Sequence, residues 1–344
     1  MEAKSIPILM HQQQQVYLIR LTNATGMQVE LSNYGGLIKS LVVPDKNGQP
    51  VDVVLGFDNL SDYFSETYLA AYPYMGTIVG RCANRLGHAQ FDLDGKTFKV
   101  SANTPPHQLH GGLEGFDKKV WTIKSLTKTP EPELVLTYLS PDGDEGFPGN
   151  LELELKFMLT ADNELKTEFS ARTDQPTPVD LTHHGYFNLN GDGSSILEHE
   201  LSIDADHYLG QYPDMLTNGA LLPVKQTDKD FISSRKVKPA SDFNGYDQAF
   251  VLNQPDISHR SAILYSANTG IRMELYTNQP AIQCYTAQHL GPLKGKRNQT
   301  YRVFSGLCLE TQVHPNAVNT PHFPSVILRP GEHYLHATTY KFII

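Results

Sequence analysis

Hydrophobic and polar positions alternate along most of this chain. In LELELKFML, residues 151–159, Leu151, Leu153, Leu155, Phe157 and Leu159 fall on one side and mostly charged residues on the other. Successive strand side chains point to opposite faces, so the pattern predicts a half-buried antiparallel strand. VYLIRL, LIKSLVV, ELVLTYL, IRMELYT and AIQCYT read the same way and are rich in β-branched and aromatic residues. Asn47-Gly48 and Asp94-Gly95 lie between such segments, and both dipeptides suit the type I′ turns of hairpins. Helical periodicity is confined to NLSDYFSET, 59–67, and no repeat, low-complexity tract or linker interrupts the chain. The pattern predicts an all-β protein, one domain over residues 1–344, built as a large antiparallel β-sandwich with little helix.

Charge and cysteine usage narrow the function classes. A net charge of −9 disfavours nucleic acid and anionic membranes as partners, because both need clustered Lys and Arg. The densest basic run, PLKGKR at 292–297, is short and is expected to be a solvated loop. Three cysteines, Cys82, Cys284 and Cys308, show no CxxC spacing and suggest neither a disulfide framework nor a zinc site. No basic start leads into an apolar region and no 18-residue apolar span occurs, so a cytoplasmic protein is the expectation.

Several short stretches carry candidate chemistry. DLTHHGYFNLNG, 180–191, places His183 beside His184. On an extended strand they point to opposite faces and make a poor metal pair. Thr182, His184 and Tyr186 would share one face, and His183 and Gly185 the other. Spacing alone leaves a structural and a catalytic histidine both open. In PPHQLHGGLEGFDKKVW, 105–121, the Gly111-Gly112 pair after His110 allows a tight turn or a close approach to a ligand. His107 is expected on the exposed side of that loop, and Trp121 in the core rather than on a sugar-stacking platform. GRCANRLG, 80–87, groups Arg81, Asn84 and Arg85, whose forked donors suit a hydroxyl-rich or anionic ligand, or equally a surface loop. In SGLCLETQ, 305–312, Gly306, Cys308, Glu310 and Gln312 would face one way. A carboxylate among apolar neighbours is costly unless bonded or used, so Glu310 is a candidate base, with a buried ion-pair partner as the rival reading. DGDEG at 142–146 begins like a calcium loop but has Leu153 where a Glu is required, and GDGSSI lacks the last Gly of a dinucleotide fingerprint.

Taken as a set and in this order, GRCANR, FDLDGKTF, LHGGLEGFDKKVW, LTHHGYFNL, LTNGALLPV, GYDQAF, NQPAIQCYT and LETQ…PNAVN resemble the aldose 1-epimerases, the galactose mutarotase family. The similarity spans nearly everything from LSNYGGLIKSLVVPDKNG to LRPGEHYLHATTYKF. It implies a large β-sandwich with a sugar-sized cleft and an isomerase that interconverts anomers of free hexoses such as galactose or glucose. Neither metal nor cofactor is implied, and the partner is a small sugar bound by a monomer or weak dimer. Carried onto this chain, the family's general acid falls on His184, its general base on Glu310 and a further active-site histidine on His110. Substrate-binding positions fall on Asn84, Arg85, Asp247 and Gln283. The family usually has Asn before the catalytic His and Ser after it, where this chain has His183 and Gly185. It often has Pro-Asp where this chain has Pro315-Asn316. A hexose-6-phosphate epimerase, a non-catalytic carbohydrate-binding protein and a glycoside hydrolase using Asp247 and Glu310 are the alternatives.

Overall fold

Every alternating segment forms a strand in the computed structural model, which describes residues 1–239 and 243–344. Leu151–Leu159 buries Leu151, Leu153, Leu155, Phe157 and Leu159 and leaves its other face partly in water. Each such side chain contributes roughly 1.5–3 kcal/mol by leaving water. They pack into the main core with Leu31, Leu41, Phe169 and Phe342.

The strands form three large antiparallel sheets. Nine strands make the widest, in the order Thr122–Thr127, Glu133–Ser140, Leu151–Leu159, Glu164–Thr173, Tyr334–Ile343, Arg272–Thr277, Arg260–Tyr265, Glu200–Ile203 and Arg235–Lys236. A five-stranded sheet is built from Glu2–His11, Gln14–Thr22, Gln28–Ser32, Ile38–Pro44 and Pro50–Asp52. A second has the order Thr217–Pro223, His207–Gln211, Asp247–Val251, Ala281–Tyr285 and Cys308–Gln312. Residues 59–71 form a 3-10 turn, Leu60–Phe64, and an α-helix, Glu66–Ala71, capped by the Ser65 side chain. No helix among the described residues is long and apolar enough to cross a membrane.

The two predicted turns differ. Asp94 (φ 50) and Gly95 (φ 78) are both left-handed, as a type I′ turn requires, and join Gln90–Leu93 to Lys96–Lys99. At Asn47-Gly48 only Gly48 is left-handed. There the Asp45 carboxylate accepts the Asn47 and Gln49 amides, and the Gly48 amide closes onto the Asp45 carbonyl. An aspartate competing for backbone amides has turned the expected two-residue hairpin into a wider loop.

The basic run also departs from expectation. Lys296 is buried, and its ammonium donates to Asp52 (2.7 Å) and to the Val54 carbonyl (2.8 Å). Composition marks a solvated loop, but here the buried ammonium is paired with a carboxylate that the chain supplies about 240 residues earlier.

Candidate active site

Sheet register brings the polar residues together. Gln283 lies directly opposite Glu310 on one side and Ala249 on the other, and Asp247 lies opposite Tyr285, itself opposite Cys308. Opposed residues share a face, as do residues two apart, so Asp247, Gln283, Tyr285, Cys308 and Glu310 all project from one side of this sheet. Phe187 and Leu307 exchange backbone hydrogen bonds of 2.8 and 2.9 Å. Counted three residues along each chain from that antiparallel pair, His184 comes opposite Glu310. The His184 amide and carbonyl are pinned in turn by the Thr77 carbonyl and the Gly76 amide, both at 2.9 Å.

The other wall is the turn after GRC. Short strands Arg85–Leu86 and Gln108–Leu109 pair. Beyond them the His110 amide donates to the Asn84 carbonyl (3.0 Å), and the Asn84 amide donates to His110 Nδ1 (3.2 Å). An accepting Nδ1 places the ring proton on Nε2, so neutral His110 presents a donor. Asn84 and His110 are both left-handed, at φ 58 and 52, a cost borne where the surroundings over-determine the backbone. Gly111 has no room for a Cβ, which would lie 1.8 Å from the Gly80 carbonyl oxygen. That glycine therefore serves a backbone-to-backbone approach, not a ligand.

All seven candidate residues line one cavity of about 220 Å³: Asn84, Arg85, His110, His184, Asp247, Gln283 and Glu310. His184 Nε2 stands 3.7 Å from Glu310 Oε1. Tyr186 stacks on the His184 ring at 5.1 Å, Tyr74 lies nearly parallel at 6.0 Å, and His110 meets it edge-on at 5.2 Å. Tyr72, Pro73, His289 and Gly291 also line it. Gln283 donates to Asp247.

Burial sets the electrostatics. Desolvation pushes His184 down to about 3 and holds His110 well below the imidazole range. It pushes Glu310 well above the carboxylate range, aided by the neighbouring Asp247 charge and opposed by Arg85. Asp247 is raised by the same burial, with Arg85 and the Gln283 bond opposing. Three buried polar atoms among these side chains have no partner among the described residues: Glu310 Oε2, Gln283 Oε1 and Arg85 Nε. Buried polar atoms are nearly always bonded, so this group of orphans marks a place for a hydrogen-bonding ligand. The residues can hold a hydroxylated ring, with a carboxylate and an imidazole positioned to exchange protons with it.

Other candidates resolve differently. The run at 80–87 splits: Arg81 is buried away from the cavity and donates to the carbonyls of Pro148 and Gly149 and the hydroxyls of Ser140 and Thr177. His107 is buried, not exposed. Thr104 and His107 bond each other across the tight turn made by the proline pair, which folds the ring inward. There Nδ1 accepts from the His88 amide and Nε2 meets Asp214 at 3.2 Å. Trp121 is in the core against Phe116 and Tyr138. His183 points away from the cavity and donates from Nε2 to the Gly76 carbonyl (2.9 Å). The acids of DGDEG bond to neighbouring groups, with Glu145 accepting the amides of Leu113 and Glu114 at 2.9 Å. Asn316, at the departure from Pro-Asp, accepts the Gly87 amide (2.9 Å) and so holds the turn after Arg85.

Sequence reasoning missed Tyr72, Tyr74 and His289. They arrive on loops without periodicity, and only the aromatic density of AAYPYM marks two of them.

A β-sandwich cleft in which a buried imidazole and carboxylate face unbonded polar groups suits a class of enzymes that bind a sugar and move its protons, and the family of the chain is given by comparison with known proteins. The family model for aldose 1-epimerase matches residues 17–341. A galactose mutarotase from Sus scrofa is 42% identical over 92% of both chains, and an aldose 1-epimerase from Escherichia coli (strain K12) is 34% identical over 98% of both. The crystal structure of an aldose epimerase homologue from C. elegans superposes with a TM-score of 0.87 at 30% identity, covering 95% of this chain and 98% of that one. This chain belongs to the aldose 1-epimerase family, a family of isomerases.

Proposed function

We propose that the protein is an aldose 1-epimerase that interconverts the α and β anomers of free hexoses such as galactose and glucose. An anomer changes by ring opening. The C1 hydroxyl loses a proton while the ring oxygen gains one, and after rotation about C1–C2 the ring closes on the other face. Glu310 takes the hydroxyl proton, and His184, as imidazolium, gives its Nε2 proton to the ring oxygen. On closure both transfers reverse. The pair carries one proton throughout, alternating between an ion pair and a neutral pair. Burial disfavours the ion pair and so drives the proton from His184 toward the sugar. Asn84, Arg85, Asp247, Gln283 and the Nε2–H of His110 hold the hydroxyls, fixing C1 against the carboxylate.

The observation that carries this reading is the 3.7 Å approach of His184 to Glu310 with Glu310 Oε2 left unbonded. The relatives named galactose mutarotase support the substrate class. Among the described residues lining the cavity, Arg85 is the single guanidinium and no lysine occurs, which is poor provision for a sugar phosphate. Polarimetry on freshly dissolved α-D-galactose and α-D-glucose tests the proposal. Catalysed decay of rotation to the equilibrium value is expected; decay at the buffer rate overturns it.

A further inference from the structure

His184 has two ring nitrogens, and the mechanism uses one. Nε2 faces Glu310 and the cavity. Nδ1 faces Cys308 Sγ at 3.6 Å, its one side-chain partner among the described residues. The near-parallel rings of Tyr74 and Tyr186 hold the plane of the ring, and its backbone is bonded on both sides. Cys308 is equally fixed. It sits two residues before Glu310 on the same strand face, fully buried, its register set by the pairing with Tyr285.

We infer that the Cys308 sulfur accepts the Nδ1 proton of His184 throughout turnover, and so makes Nε2 the nitrogen that exchanges protons with the sugar. This rests on the reading of His184 as the acid. In the ion-pair state both nitrogens are protonated. Once Nε2 has given its proton to the ring oxygen, the remaining proton must stay on Nδ1, leaving Nε2 bare to take the proton back on closure. Neutral imidazole with its proton on Nε2 can do neither step. A second group must therefore choose the tautomer, and sulfur is the side-chain acceptor the fold supplies, the His184 carbonyl being taken by the Gly76 amide. A carboxylate or backbone carbonyl is the usual partner of a working histidine and strengthens its hold on protons. Thiol sulfur is a weak acceptor. It selects the tautomer without making the imidazolium a poorer acid, which suits a residue that must release its proton inside a desolvated cavity. Cys308 is on this account a positioning residue, and it touches no substrate.

The test uses Cys308→Ala, Cys308→Ser and Cys308→Asp with ¹⁵N NMR of the histidines. In the wild-type protein the neutral His184 ring is expected to carry its proton on Nδ1. In Cys308→Ala kcat is expected to fall about tenfold with KM changed less than about twofold, while Cys308→Ser, whose oxygen also accepts, keeps most of the rate. Cys308→Asp is expected to move the acid limb of the pH–rate profile upward. Among the described residues the ring otherwise faces His110, Glu310, Tyr74, Tyr186 and Tyr285, with His183 next to it in the chain, all unchanged in these variants. A wild-type spectrum with the neutral ring protonated on Nε2 overturns the inference, even if no variant folds. So does a Cys308→Ala enzyme with wild-type kcat and profile, or one altered in KM alone. A wild-type protein without epimerase activity overturns the functional proposal as well, whereas an active wild type beside an unaffected Cys308→Ala overturns this inference alone.

Discussion

The ring of His183 fills the space that a side chain at Gly185 would need. A Cβ there would lie 2.6 Å from His183 Cε1 and 2.9 Å from Nδ1. The ring cannot yield, since it is buried and its Nε2 is bonded to Gly76. Positions 183 and 185 are therefore packed against each other, and a change at one is felt at the other. Gly185→Ser alone is expected to cost about 1–3 kcal/mol through overpacking. In the double variant with His183→Asn the cost should fall short of the sum of the two singles by about 1 kcal/mol. Urea unfolding of the four proteins measures this, and additive costs would show the two sites to be independent.

Loss of either proton-transfer group should slow anomer exchange without unfolding the protein. His184→Ala and Glu310→Gln are each expected to lower kcat by at least about 10²-fold, the ordinary contribution of a positioned acid or base. Because the proposed mechanism makes the two one proton-carrying unit, the double variant should be little slower than the worse single. Polarimetric rates, with circular dichroism as the folding control, decide this. A folded Glu310→Gln enzyme of near-normal rate would remove Glu310 as the base.

The pH profile follows from the same burial. The proposed mechanism needs one proton on the pair. A second proton must go onto a site whose imidazole is held down to about 3, so the acid limb lies far below the usual 6.5 of histidine. The last proton leaves a pair whose carboxyl is held well above its usual range, so the alkaline limb is displaced upward. Both limbs belong to the pair and not to either residue. We expect kcat/KM to be flat from about pH 6 to 8. A limb centred near 6.5 would instead indicate a solvent-exposed imidazole.

What the sequence made legible, it did so through alternation. The 2.0-residue period identified the strand Leu151–Leu159, the shared face of Gln283 and Tyr285, and the opposed directions of His183 and His184. It could not show which strands pair. The opposition of Glu310 and Gln283 was unreadable for that reason, as was the bond between Phe187 and Leu307 that sets His184 in place. Loops were legible only where a residue's backbone preference decides the turn, as at Asp94-Gly95. His107 and Lys296 look like surface residues locally. Their partners Asp214 and Asp52 lie more than 100 and more than 200 residues away, and no local pattern carries that information.

Asp180 gives a stability prediction of opposite sign to the buried histidines. It joins the two walls of the site: its amide donates to the Arg81 carbonyl (2.9 Å), its carbonyl accepts from Ala83 (2.7 Å), and its side chain accepts the Val313 amide (3.0 Å). Burial raises its pKa to about 7 against the single opposing Val313 bond. A carboxyl raised in the folded state binds its proton more tightly there than in the unfolded chain. Its contribution is thus fully present below about pH 4 and is lost as pH rises through about 7. His183, His199 and His314, lowered to about 4, contribute stability above 6.5 that is lost on acidification, so over this window the two sets offset each other. Asp180→Asn keeps an oxygen to accept from Val313 but removes the titration. Relative to wild type, the variant should gain stability between pH 5 and 8, by on the order of 2 kcal/mol. Urea midpoints at the two pH values, combined with m-values, measure the difference. A difference that does not change with pH would mean that Asp180 is ionised in the folded protein and would overturn this reading.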